Sequence, residues 1–213
     1  MKLDFSNSFV APSFDGPSLA AKRAFAKKIT GSLKRLKLAI KDKKYSSAQS
    51  ALYSPFDTDA LKKSLTLAAK KRALGFEHCI VCGIGGSILG TQAIMDAVFG
   101  SNAAFQDPAN PELIYADTID SRLLFTATNH ALEEDKIPLV VIISKSGNTT
   151  ETVANGLALI SALQRRTKEW KKYVVIISDA GSIMTQWAGR EGIDFLEIPP
   201  SVGGRWSVFT AVG

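Results

Sequence analysis

Leu139-Val140-Val141-Ile142-Ile143, followed by Ser144-Lys145-Ser146-Gly147-Asn148-Thr149-Thr150-Glu151-Thr152, is the stretch on which the reading of this chain turns. The apolar run reads as a strand, the hydroxyl-rich residues as a loop, and Val153, Leu157, Ile160 and Leu163 fall on one face of a following helix. A loop of this kind at a helix N-terminus presents free backbone N–H groups and the positive end of the helix dipole. The hydroxyls of Ser144, Ser146, Thr149 and Thr150 add donors, and Lys145 adds charge. Such a site suits a phosphate or another compact anion. A plain N-cap at Thr149 or Thr150, with Glu151 as a first-turn acid, explains single residues here. It does not explain why so many hydroxyls and a lysine gather at one strand end. The loop lacks the Gly-x4-Gly-Lys-Ser/Thr pattern of a Walker P-loop.

Outward from this stretch the same unit repeats. Strands are expected at 78–82, 112–116, 139–144, 173–178 and 194–198, with helices to about Phe99, over 121–132, over 150–166 and over 182–190. Alternation of this kind implies an α/β fold, a doubly wound, mostly parallel five-stranded sheet with helices on both faces. Ligands of such sheets bind at the carboxyl ends of the strands. Three polar or glycine-rich loops fall there, at 83–87, 144–149 and 199–205. Ahead of the sheet the sequence reads as an irregular arm over 1–17, a basic helix over 18–44, a connection over 45–58 and a second helix over 58–74, which Gly75 ends. The expected division is therefore a helical N-terminal arm, 1–75, and a ligand-binding α/β domain, 76–213.

The chain has 213 residues, 46% of them apolar, enough for a real core. No run approaches the length of a membrane span, and the N-terminus lacks the apolar region of a signal peptide. The expectation is a cytoplasmic protein. Of the net charge of +6, more than the whole lies between Lys22 and Lys44, where ten basic residues meet the single acid Asp42. Phe25, Ile29, Leu33, Leu36 and Ile40 interleave with those charges at helical spacing, which describes an amphipathic helix with a solvated basic face. No nucleic-acid recognition motif accompanies the charge. The two cysteines, Cys79 and Cys82, stand C-x2-C but inside an apolar strand, where residues three apart face opposite ways. They read as buried structural thiols. The histidines, His78 on a strand and His130 at a helix end, occupy no catalytic motif and read as structural.

The other two loops carry chemistry of their own. Gly83-Ile84-Gly85-Gly86-Ser87 allows a tight turn and close backbone approach to a ligand. Its likeness to a dinucleotide fingerprint, with Asp117 as the acid after the second strand, keeps a nicotinamide-dependent dehydrogenase in view, although the third glycine is misplaced. Pro199-Pro200-Ser201-Val202-Gly203-Gly204-Arg205-Trp206-Ser207 would set a guanidinium beside a bound anion or a developing negative charge.

Taken together, Gly83–Gly90, Ser144–Thr152 and Gly203–Gly213 resemble, in order, the motifs of the glucose-6-phosphate isomerase family. The Ser-Lys-Ser-Gly-Asn-Thr form is shared with other sugar-isomerase (SIS) domains. The resemblance implies an SIS-type, flavodoxin-like domain and an aldose–ketose isomerase that interconverts glucose 6-phosphate and fructose 6-phosphate without metal or organic cofactor. It implies that Ser144, Lys145, Ser146 and Thr149 bind the phosphate, that Gly86 and Ser87 contact the sugar, and that Arg205 stabilises the anionic enediol-like intermediate. Ile88 stands where the family often has a polar or acidic residue, and Trp206 replaces a more usual tyrosine or phenylalanine. The resemblance further implies a base, a ring-opening histidine and a lysine in a second SIS domain beyond Gly213, a homodimer in the complete protein, and little or no turnover by these residues alone. A non-catalytic phosphosugar-binding SIS module, a sensor or regulator, shares the phosphate loop but has no need of Arg205.

Overall fold

The computed structural model describes residues 18–100, 111–132 and 137–213; the arm expected over 1–17 lies outside them. The apolar runs become five strands: β1 His78–Cys82, β2 Glu112–Ala116, β3 Leu139–Ser144, β4 Val174–Asp179 and β5 Asp194–Ile198. All neighbours pair in parallel, in the order β2-β1-β3-β4-β5. The helices are α1 Leu19–Asp42, α2 Thr58–Arg72, α3 Leu89–Phe99, α4 Ser121–Leu132, α5 Thr150–Arg166 and α6 Ile183–Glu191. No helix among the described residues is long and apolar enough to cross a membrane.

Alternation along each strand divides the core in two. Ile80, Cys82, Val140, Ile142, Val174 and Ile176 face Ala131 of α4, Leu159, Ile160 and Leu163 of α5, and Ala188 of α6. Cys79, Val81, Ile143, Val175 and Ile177 face the other way, towards Leu67 of α2, Phe76, Ile88, Ala211 and Val212. Strands buried on both faces explain why β3 and β4 read as continuous apolar runs. Each large aliphatic side chain sequestered there contributes about 1.5–3 kcal/mol. The C-x2-C cysteines fall in opposite layers, and burial pushes both thiols up to about 12.

α2 is tied to the sheet by charge as well as by Leu67. Lys71 Nζ, buried, donates to the carbonyl of Val174 at 3.2 Å and lies 2.9 Å from Asp194 Oδ2 at the start of β5. Lys70 Nζ reaches the same carboxylate at 2.7 Å. The stretch expected as a plain connection after α1 contains a 3-10 helix, Ala48–Phe56. Ser47 and Ser50 form a capping box at its start, and Tyr45 Oη donates to Asp57 at 2.8 Å beyond its end. These small polar contacts carry no apolar period, so the helix left no trace in the hydrophobic pattern. α1 has the solvated basic face expected of it, yet Phe25 and Leu33 are also exposed, so its apolar stripe is only partly covered.

Candidate functional site

In the order β2-β1-β3-β4-β5 the chain leaves β1 towards one edge and β3 towards the other. Sheets of this order place a ligand crevice where neighbouring connections diverge, here above the carboxyl ends of β1 and β3. The loops 83–87 and 144–149 both emerge there. The third loop starts two strands away, after β5, and runs back across the same edge. Two contacts hold it in passage: Lys145 Nζ donates to the carbonyl of Pro200 at 3.0 Å, and Ser207 Oγ donates to the carbonyl of Gly86 at 3.2 Å. The expected helix there is a 3-10 helix, Gly204–Phe209.

The loop after β3 is cross-braced. Ser144 is buried at the strand end, where its Oγ donates to Thr149 Oγ1 at 3.1 Å and accepts from the Gly147 N–H at 3.2 Å. Gly147 has φ +72°, and a Cβ there would stand 3.0 Å from Cβ of Ser182. A glycine is thus required by both conformation and space. Lys145 pairs with Asp179 Oδ2 at 2.8 Å. Ser178 Oγ donates to the carbonyl of Ser144 at 2.6 Å and accepts from Ser182 Oγ at 2.8 Å. Ser144 and Lys145 therefore spend their polar atoms on the frame of the loop, whereas Ser146 and Thr150 are exposed and Thr149 partly so. Asp179, Ser178 and Ser182 were not singled out in the sequence. The signal available was Ser178-Asp179 closing an apolar run, as Ser144-Lys145 does on β3.

The loop after β1 makes a single 3-10 turn, Gly85–Ser87, with Gly85 at φ +59°. Ile88 turns into the core and is buried, which gives an apolar residue at this position a structural reason. Gly86 lies against the third loop: a Cβ on it would stand 2.2 Å from the carbonyl oxygen of Gly204 and 3.2 Å from the nitrogen of Arg205. Glycine at 86 is what lets the two backbones touch. Arg205 is exposed, and among the described residues its guanidinium has no hydrogen-bond or ion-pair partner. Gly86, Ser87 and Arg205 are thus brought together, and the braced loop 144–149 rises from the adjacent strand.

Helix ends sharpen the contrast. Ser18, Asp57, Asp120 and Ser182 accept first-turn N–H groups of α1, α2, α4 and α6. α3 and α5, which start at the two crevice loops, have no side-chain cap among the described residues. At α5 no side chain among the described residues takes the first-turn N–H groups, which leaves them to an anion with the helix dipole adding favourable potential, whereas the first turn of α3 packs at Gly90 against Val208. Other residues considered in the sequence lie elsewhere. Asp117 is exposed just past β2, and His78 and His130 sit at the opposite end of the sheet, beside the start of β2.

Residues 69–213 match the phosphoglucose isomerase family. A glucose-6-phosphate isomerase of Methanocaldococcus jannaschii is 39% identical over 141 residues, which cover 65% of this chain and 32% of that protein. One from Leptospira interrogans is 32% identical over 154 residues, covering 70% and 34%. The crystal structure of a glucose-6-phosphate isomerase from Chlamydia trachomatis superposes with a TM-score of 0.59 at 26% identity, over 78% of this chain and 30% of that one. The chain spans about a third of the length of the curated relatives it matches.

Proposed function

The chain belongs to the phosphoglucose isomerase family, and from that premise we propose that its crevice binds the phosphate of glucose 6-phosphate and fructose 6-phosphate and stabilises the anion through which they interconvert. The observation that carries the reading is the pair of uncapped helices. Among the described residues four α-helices cap a first-turn N–H with a side chain, and the two that do not, α3 and α5, both start at the crevice loops. A phosphate seated at α5 accepts from those N–H groups and from the hydroxyls of Ser146, Thr149 and Thr150. Ser144 and Lys145 act on it chiefly by holding the loop in shape. Gly86 and Ser87 border the sugar, and the residues from 76 onward serve as a phosphosugar-binding SIS domain with the helices before it as an arm.

In the reaction the ring opens and a base takes the proton from C2. The released pair forms a C1=C2 double bond as charge moves onto O1, and Arg205 offsets that charge. Transfer of the O2 proton to O1 and return of a proton to C1 give the ketose, with no net gain or loss of protons. The base comes from outside the three loops: Asp179 is held by Lys145, both histidines lie at the far edge, and Glu151 in the first turn of α5 would face the phosphate. The complete site works as a homodimer in the cytoplasm.

Titration of the chain with glucose 6-phosphate tests the binding half. Saturable binding, displaced by inorganic phosphate and weakened by Thr149→Val, is expected; an absence of binding refutes the reading. In the isomerase assay on the complete protein, which supplies the base, Arg205→Ala should lower turnover by about 10²–10³-fold, the scale of a lost oxyanion donor, with a far smaller loss of binding. Equal losses in both would reduce Arg205 to a binding residue and favour a sensor module.

A further inference from the structure

The chain's two histidines, 78 and 130, meet at one carboxylate. Strand register sets His78 directly opposite Glu112 at the first paired position of β1 and β2. α4 then returns His130, in its last turn, to the same end of the sheet. His78 Nε2 lies 3.2 Å from Glu112 Oε2, and His130 Nε2 lies 3.0 Å from the same oxygen. The three atoms are all within 4.8 Å of one another, and the rings meet edge to face with centroids 5.0 Å apart. The site is one strand length from the crevice, about 16 Å for five residues.

We propose that His78, Glu112 and His130 bind a first-row divalent transition ion, zinc foremost, which fastens the end of α4 to the amino edge of the sheet. Ligand atoms on a tetrahedral zinc with bonds of about 2.0–2.2 Å stand about 3.3–3.5 Å apart. The two nitrogen-to-oxygen separations here are within a few tenths of an ångström of that edge. The donor set, two imidazoles and a carboxylate, suits zinc and its neighbours and not magnesium or calcium, which take oxygen ligands. Burial fits as well. His78 is a fixed, buried anchor, while Glu112 and His130 are about half exposed, so an ion can enter from solvent and keep water on its fourth position. His130, at the end of a helix on the surface, has room to close the remaining gap.

The test is titration of the chelator-treated full chain with zinc chloride and, separately, cobalt chloride, read by calorimetry, by cobalt visible absorption and by thermal melting. One ion per chain, a ligand-field spectrum of low coordination number and a melting midpoint that rises with zinc are expected. His130→Ala, at an exposed position that leaves the core intact, should weaken zinc by more than the roughly 10–100-fold that loss of an outer partner costs. Glu112→Gln should do the same, and neither variant's melting should respond to zinc. Failure of both ions to bind saturably overturns the proposal. So does affinity that survives either substitution, since the ion would then sit elsewhere and the cluster would be a hydrogen-bonded corner only.

Discussion

Replacing Gly86 with alanine asks whether the crevice is assembled by direct contact between the loops after β1 and β5. The added Cβ would stand 2.2 Å from the carbonyl oxygen and 2.6 Å from the carbonyl carbon of Gly204. Carbon–oxygen contacts settle near 3.3 Å, so one backbone must retreat by about 1 Å. Gly86 is not among the glycines at positive φ, so the change is purely steric. Overpacking of this size costs about 1–3 kcal/mol. The retreat also carries Arg205, the next residue in the displaced loop, and a misplacement of about 1 Å at a reacting site costs on the order of 10²-fold in rate. Gly204→Ala is the matched control, because a Cβ at 204 meets nothing within 4 Å. Urea unfolding of both variants, with glucose 6-phosphate titration alongside and the isomerase assay on the complete protein carrying the same changes, separates the effects. Gly86→Ala should lose both stability and site function, and Gly204→Ala should stay within about 0.5 kcal/mol of the parent in stability. A Gly86→Ala variant as stable and as competent as the parent would mean that the loops do not touch as described.

Asp194→Asn should destabilise the fold by about 2–3 kcal/mol in urea unfolding. That is below the roughly 3–5 kcal/mol of a fully buried pair, because Asp194 keeps 30% side-chain exposure and Lys71 retains its carbonyl acceptors. Burial raises the Asp194 carboxyl, but hydrogen bonds from Lys70 and Lys71 outweigh it and hold the group below the ordinary value. Its contribution is therefore fully present above the unfolded value, about 3.9, and is lost as pH falls through the lower folded value. Burial lowers the Lys71 ammonium despite the same partner. Melting followed from pH 6 downward, about two units above the unfolded value, should thus show a steeper acid loss in the parent than in Asp194→Asn; parallel curves would remove Asp194 from the acid response. Thr152 Oγ1 is buried with no hydrogen-bond partner among the described residues, so Thr152→Val should raise stability by about 1 kcal/mol, and a loss would reveal a hidden partner. With burial holding both thiols near 12, Cys79 and Cys82 should resist a thiol-alkylating reagent in the native chain and react in denaturant; rapid native labelling of either would contradict their placement in the core.

The sheet was legible because its signal is local and redundant. Val140-Val141-Ile142-Ile143 can hardly be anything but a buried strand once a loop and a helical period follow it, and β4 repeats the lesson. Positions of the three crevice loops followed from the α/β rule alone. The division of labour inside the loops did not. Lys145 reads as a phosphate ligand in one dimension, yet its amino group is held by Asp179 and Pro200, 34 and 55 residues on. Nothing near Lys145 in sequence announces either partner. The same holds for Gly86: a glycine-rich turn suggests room for a ligand, but the backbone that occupies the room belongs to Gly204, after a return from the far edge of the sheet. The histidines show the limit most plainly. A single histidine on a strand and another at a helix end carry no pattern, and only the β1–β2 register and the length of α4 bring them to one carboxylate. Elements are written in periods that a window can see, whereas sites are written in registers and returns that exist only after the elements have packed. The residues that frame a crevice, such as Asp179 and Ser178, are therefore harder to read than those that line it, and a sequence motif assigns to contact what the fold partly assigns to support.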